Sequence, residues 1–149
     1  MTAEDSEGVD HQQHPSLLYA IKQVELAIRS RLDALLRPYG ITALQYTALT
    51  VLQHSSGLSA ADLARRSFVT AQSMGEMVDT LQRLDLVSRQ VDPQHRRRML
   101  TSFTDEGRQL LAECSKATAE LEATMVARLN WRQRRALRVY LDSCRDALH

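Results

Sequence analysis

The chain has 149 residues and a formal charge of +1, with 44% hydrophobic and 25% charged residues, 5 Gly and 3 Pro. That length accommodates one core without requiring a second, and the composition favours helix over sheet. No apolar run approaches the roughly 18 residues of a spanning helix, and the N-terminus is acidic, which together predict a cytoplasmic protein with no membrane span or secretory leader.

The small net charge conceals an asymmetry. Residues 1–14 hold Glu4, Asp5, Glu7 and Asp10 with no Lys or Arg, so the chain beyond them carries +5. The polar, aperiodic segment 1–15 is predicted to be a disordered acidic tail. Cys114 and Cys144 are too few and too far apart for a disulfide framework or a zinc ribbon, and their apolar helical settings predict buried small side chains. The histidines are scattered at 11, 14, 54, 95 and 149, and no nucleophile, phosphate-loop or zinc motif is present. The expectation is a protein that is not an enzyme and has neither cofactor nor metal.

A helical pattern begins at Ser16, with Leu17, Leu18, Ile21, Val24, Ile28, Leu32, Leu35 and Leu36 at three- and four-residue steps up to Pro38 and Gly40. Thr42 caps a second helix carrying Leu44, Leu49 and Leu52, which ends in "HSSG" at 54–57. Ser59 opens a third, with Asp62 completing a capping-box variant and Leu63 and Ala64 facing inward. "RRSFV" at 65–69 interrupts it, and Thr70 restarts helix with Met74, Met77, Val78 and Leu81 as the inward stripe. After Leu84 the period becomes near-alternating in "LVSRQV" at 86–91 and "MLTSF" at 99–103, which predicts a short hairpin around a basic turn, "VDPQHRRRML". Thr104 then caps a long helix whose apolar positions include Leu110, Leu111, Cys114, Leu121 and Met125. Asn130, with Gln133 completing its box, caps a last helix whose seam is Leu137, Leu141, Cys144 and Leu148.

Two capped helices joined by a tight connection fit a helix-turn-helix, and a hairpin directly after them makes it winged. By itself the pair is equally compatible with an ordinary helical hairpin in a core. The basic hairpin tip weighs toward the winged reading, because a wing meets phosphates or a minor groove, where cations are favoured.

Three stretches, "LRPYGITALQYTALTVL" at 36–52, "GLSAADLARRSFVTAQSMGEMVDTLQRLDLVSRQVDP" at 57–93 and "RRRMLTSFTDEGRQLL" at 96–111, resemble the multiple-antibiotic-resistance regulator (MarR) family of bacterial transcription factors. The resemblance runs from about residue 16 to the C-terminus. It implies a mainly α fold: a winged helix-turn-helix DNA-binding lobe over about 42–104, and dimerisation helices over about 16–37 and 104–148. It further implies a homodimeric repressor of a pseudo-palindromic operator in double-stranded DNA, responsive to a small aromatic or phenolic effector. The alternative is a winged-helix protein–protein interaction module, because Glu76 weakens the usual basic face of the recognition helix.

For DNA, the outward candidates are Thr70, Ala71, Gln72, Ser73 and Gly75 at the start of the fourth helix. Gln72 is suited to a two-point contact with adenine, or is simply an exposed polar residue. Ser59 is a candidate through the helix it opens. In the wing, the resemblance assigns Arg97 to the minor groove and Arg96 to a phosphate, with Asp92 or a backbone carbonyl holding the turn where many members have an acid in place of His95. Arg65 and Arg66 offer phosphate contacts or simply complement a helix dipole. For an effector, Tyr19, Tyr39, Tyr46 and His54 are the candidates, though each is more readily accounted for as packing or surface, since no spacing singles them out.

Overall fold

The computed structural model describes residues 15–149, so the acidic segment, except for Pro15, lies outside the described residues. Six helices and three strands follow one another as α1 Leu17–Leu36, α2 Ala43–His54, β1 Leu58–Ser59, α3 Ala60–Ser67, α4 Ala71–Arg83, β2 Val87–Asp92, β3 His95–Phe103, α5 Asp105–Met125 and α6 Trp131–Ala147. A 3-10 turn, Arg37–Tyr39, separates α1 from α2. No helix among the described residues is long and apolar enough to cross a membrane.

Each helix begins where a short polar side chain can accept from the otherwise unpaired amides of the first turn. Thr42 and Asn130 form complete capping boxes with Gln45 and Gln133. Ser16, Ser59, Thr70 and Thr104 each accept from the backbone N–H three residues on. The turn between α3 and α4 closes through Phe68, which adopts the left-handed region at φ 59° while the Val69 amide donates to the Ala64 carbonyl at 3.2 Å.

The core lies where α2, α3 and α4 meet the sheet and the start of α5. Leu36, Leu49, Leu52, Leu63, Met74 and Leu81 are its largest fully buried side chains, each stabilising the fold by about 1.5–3 kcal/mol. Ala64 is nearly inaccessible, and Val69 and Met77 pack against the same cluster, so the predicted contacts between α3 and α4 are present. Cys114 is buried among them, and that burial pushes its thiol pKa above the ordinary value.

The sheet has the order β1-β3-β2, antiparallel throughout. β1 has no counterpart in the sequence reading. It is two residues long, pairing Leu58 with Thr101 and Ser59 with Leu100, too short for an alternation to show.

The seam of α6 departs from expectation. Cys144, expected to be buried, is exposed, and so are Leu141 and Leu148. On α1, Leu17, Leu18, Ile21 and Val24 are likewise exposed. The apolar stripes of both terminal helices are genuine helical patterns, but the other described residues do not cover them.

Candidate nucleic-acid interface

The first turns of α4 present an open polar face. Thr70, Ala71, Gln72 and Ser73 are exposed, while Met74, Val78 and Leu81 on the opposite side are buried. Thr70 Oγ1 accepts from the Ser73 amide at 3.1 Å and donates to Ser73 Oγ at 3.0 Å, so these two hydroxyls already hold each other. Gln72 has no hydrogen-bond partner among the described residues. Gly75 faces free space: a β-carbon there would meet no heavy atom within 4 Å.

In the wing, the arginines do not lie in the turn. The turn is Pro93-Gln94, and β3 begins at His95. The pairing passes from Val91↔Met99 directly to Asp92↔His95. Arg96, Arg97 and Arg98 therefore have no facing residues on β2 and form a three-residue bulge. Asp92, buried despite its charge, holds the base of this arrangement: its Oδ1 accepts from the Gln94 amide at 2.9 Å, and its Oδ2 lies 3.8 Å from Arg98 Nε. Asp92 thus does hold the turn, as expected, but the arginine it approaches is Arg98.

The triplet is divided by its partners. Arg98 Nη2 donates to Asp62 Oδ2 at 2.9 Å, whereas Arg96 and Arg97 are exposed and have no carboxylate partner among the described residues. Arg89, on β2, is also tied inward, through Asp79 and Gln82 of α4. Among the described residues, two cations of the triplet are left without a carboxylate partner, and one is structural.

Ser59 is buried, and its hydroxyl accepts from the Asp62 amide at 3.2 Å and donates to Asp62 Oδ2 at 2.8 Å, so this hydroxyl is engaged within the chain. Asp62 in the first turn also adds negative charge at the N-terminus of α3, which disfavours an anion there. The Ser59 hydrogen bond, followed by the charges of Arg65, Arg98 and Arg66, holds the Asp62 carboxyl below its ordinary pKa against an opposing desolvation. Sequence reasoning gave Asp62 only a capping role, because its partner Arg98 is 36 residues away and no local spacing relates them.

A family model described as MarR family matches residues 39–98, the stretch holding α2, the helix-turn-helix and most of the wing. The HTH-type transcriptional repressor Rv2887 of Mycobacterium tuberculosis is 30% identical over 124 residues, covering 83% of this chain and 89% of that protein. The chain belongs to the MarR family. Among solved MarR-type folds, the transcriptional repressor CouR bound to a 23-mer DNA duplex superposes with a TM-score of 0.78 at 26% identity, covering 87% of this chain and 92% of that one. Rv2887 in complex with salicylic acid superposes with a TM-score of 0.72 at 29% identity, covering 89% and 98%.

The effector residues suggested by the MarR resemblance are not brought together. An apolar groove of about 810 Å³ runs between α1, α2, the α3–α4 turn and α6, with Val24, Leu32, Leu44, Phe68 and Leu141 among its walls. Tyr19, Tyr39, Tyr46 and His54 do not line it. Tyr39 and Tyr46 instead donate to the Glu113 carbonyl at 3.4 Å and to Thr118 Oγ1 at 3.3 Å, fastening the start of the lobe to α5. His54 Nδ1 lies 2.9 Å from the Thr50 carbonyl, and Tyr19 is an exposed residue of α1. Two other groove residues had no assigned role: Ser67, whose buried Oγ has no hydrogen-bond partner among the described residues, and Phe68 in the turn itself.

Proposed function

We propose that this MarR-family protein is a sequence-specific DNA-binding repressor that acts as a cytoplasmic homodimer, with no enzymatic activity of its own. One observation carries the DNA reading: Arg96 and Arg97 stand exposed at the wing with no carboxylate partner among the described residues, while the first turns of α4 present an exposed polar face. α4 is the element that enters the major groove, with Gln72 reading a base edge and Ala71 and Gly75 allowing close approach. The wing supplies Arg97 to the minor groove and Arg96 to a phosphate. DNA in the CouR complex and the repressor function named for Rv2887 support this reading over a protein-interaction module.

The lobe over about 42–104 serves DNA, and the helices over about 16–37 and 104–148 serve association, their exposed α1 and α6 faces being covered by a second copy. The effector is a small, largely apolar aromatic molecule with a hydrogen-bonding group. It is taken up in the apolar groove beside Leu44, Ser67 and Phe68, a reading supported by the salicylic acid complex of Rv2887.

The test is a salt titration of binding to DNA from upstream of the protein's own gene. One phosphate-contacting Arg96 in each of two wings predicts log K falling against log salt with a slope of about −1.8 or steeper. Absence of binding to that DNA at low salt overturns the reading.

A further inference from the structure

Asp62 sits on α3, outside the two elements that face DNA, yet it is the junction of a chain of polar contacts that reaches the wing. Ser59 Oγ donates to its Oδ2, Arg65 pairs with its Oδ1, and Arg98 Nη2 donates to Oδ2 across from β3. Arg98 in turn approaches Asp92, whose other oxygen closes the Pro93-Gln94 turn. A bulge of three residues with no facing partners has its direction set by side chains rather than by the ladder. Here the side chain is that of Arg98, and a planar guanidinium is the group that can address two carboxylates through different nitrogens.

We propose that Asp62 is a positioning residue for DNA binding, which through Arg98 anchors the base of the wing to the N-terminus of α3 and thereby sets where Arg96 and Arg97 project. The proposal rests on the DNA-binding reading above. Simple electrostatics argues for the opposite effect, since a carboxylate near a phosphate-binding surface repels it and its neutralisation strengthens binding. The sign of the effect therefore separates positioning from bulk charge.

The experiment compares the full-length wild type with D62N and R98K for binding to its upstream DNA over a salt series, and for hydrogen exchange of the wing in the free protein. D62N is expected to bind about tenfold more weakly despite the lost negative charge, with a shallower salt slope. R98K keeps the charge, lies away from the Ser59 cap and cannot bridge both carboxylates, so it too is expected to lose affinity. Adding Arg97→Ala to D62N is expected to weaken binding less than adding it to the wild type, as for coupled residues. Exchange over residues 92–99 is expected to quicken in both variants while α5 is unchanged. Binding by R98K or D62N as tight as the wild type, or unaltered wing exchange, overturns the positioning role. A wild type that binds no upstream DNA overturns the DNA-binding reading instead, and the exchange comparison still decides whether Asp62 holds the wing.

Discussion

Gly107, in the first turn of α5, packs its α-carbon against the carbonyl oxygen of Leu86 so closely that a methyl group there would overlap that oxygen. The same methyl would lie 2.7 Å from Phe103 Cδ1, and the Leu86 carbonyl is already fixed by the Thr104 amide at 3.3 Å. Backbone cannot yield as a flexible side chain does. Gly107→Ala is therefore expected to destabilise the protein by about 1–3 kcal/mol, the range for an overpacked site, as measured by denaturant unfolding. An unchanged midpoint would show that α5 can shift away from the hairpin.

Gly75→Ala is expected to have the opposite effect on stability. Its added methyl meets open space, and the substitution favours the helix interior by roughly 0.5–1 kcal/mol. If α4 docks with its backbone close to the groove floor, the same methyl weakens DNA binding. A variant that melts higher and binds less is the expected combination; tighter binding would place Gly75 away from the DNA.

Arg97→Ala is expected to lower DNA affinity by more than about tenfold and leave the dimer intact. Gln72→Ala is expected instead to relax preference at one base-pair position per half-site. Competition assays with point-changed operators distinguish the two. A loss that is uniform over all sequences would move Gln72 to the phosphate backbone.

Asp62 makes stability fall in acid. Its folded pKa lies below the ordinary 3.8, so its stabilising contribution is complete above that value and is lost as the pH drops through the lower folded one. Glu25, bonded to Lys22 and Arg29, behaves in the same way from its ordinary 4.5. Thermal melts of the wild type and D62N from about pH 5 to about pH 2 are expected to converge as the pH falls. Curves that run parallel would mean that Asp62 is equally ionised in the unfolded chain.

The helix starts were legible because a cap is a local signal. Thr42, Ser59, Thr70, Thr104 and Asn130 each accept from the amide their spacing predicts. Tertiary facts were not legible in the same way. An apolar stripe on α6 says that something covers Cys144 and Leu141, and not which molecule does so. Ser59 was readable as a cap, but its burial comes from β1, which depends on pairing with residues more than forty positions away. Within the wing, cations and a turn were visible, whereas the singling out of Arg98 from the three arginines as a tether depends on Asp62 across the fold. That the aromatic and histidine candidates lie outside the apolar groove was hidden for a related reason. Tyr39 and Tyr46 have their hydroxyls turned to α5, and nothing in their spacing records that.

A wing built on a bulge also bears on how such a protein can diverge. In a regular hairpin, one inserted or deleted residue sends every following side chain to the other face of the sheet. Here Met99↔Val91 restarts the register beyond the arginines, and Thr101 is buried on the inner side independently of what precedes Arg98. The tip can lengthen, shorten or exchange its cations while the core face of β3 stays in place, so a change of operator need not disturb the fold that presents it.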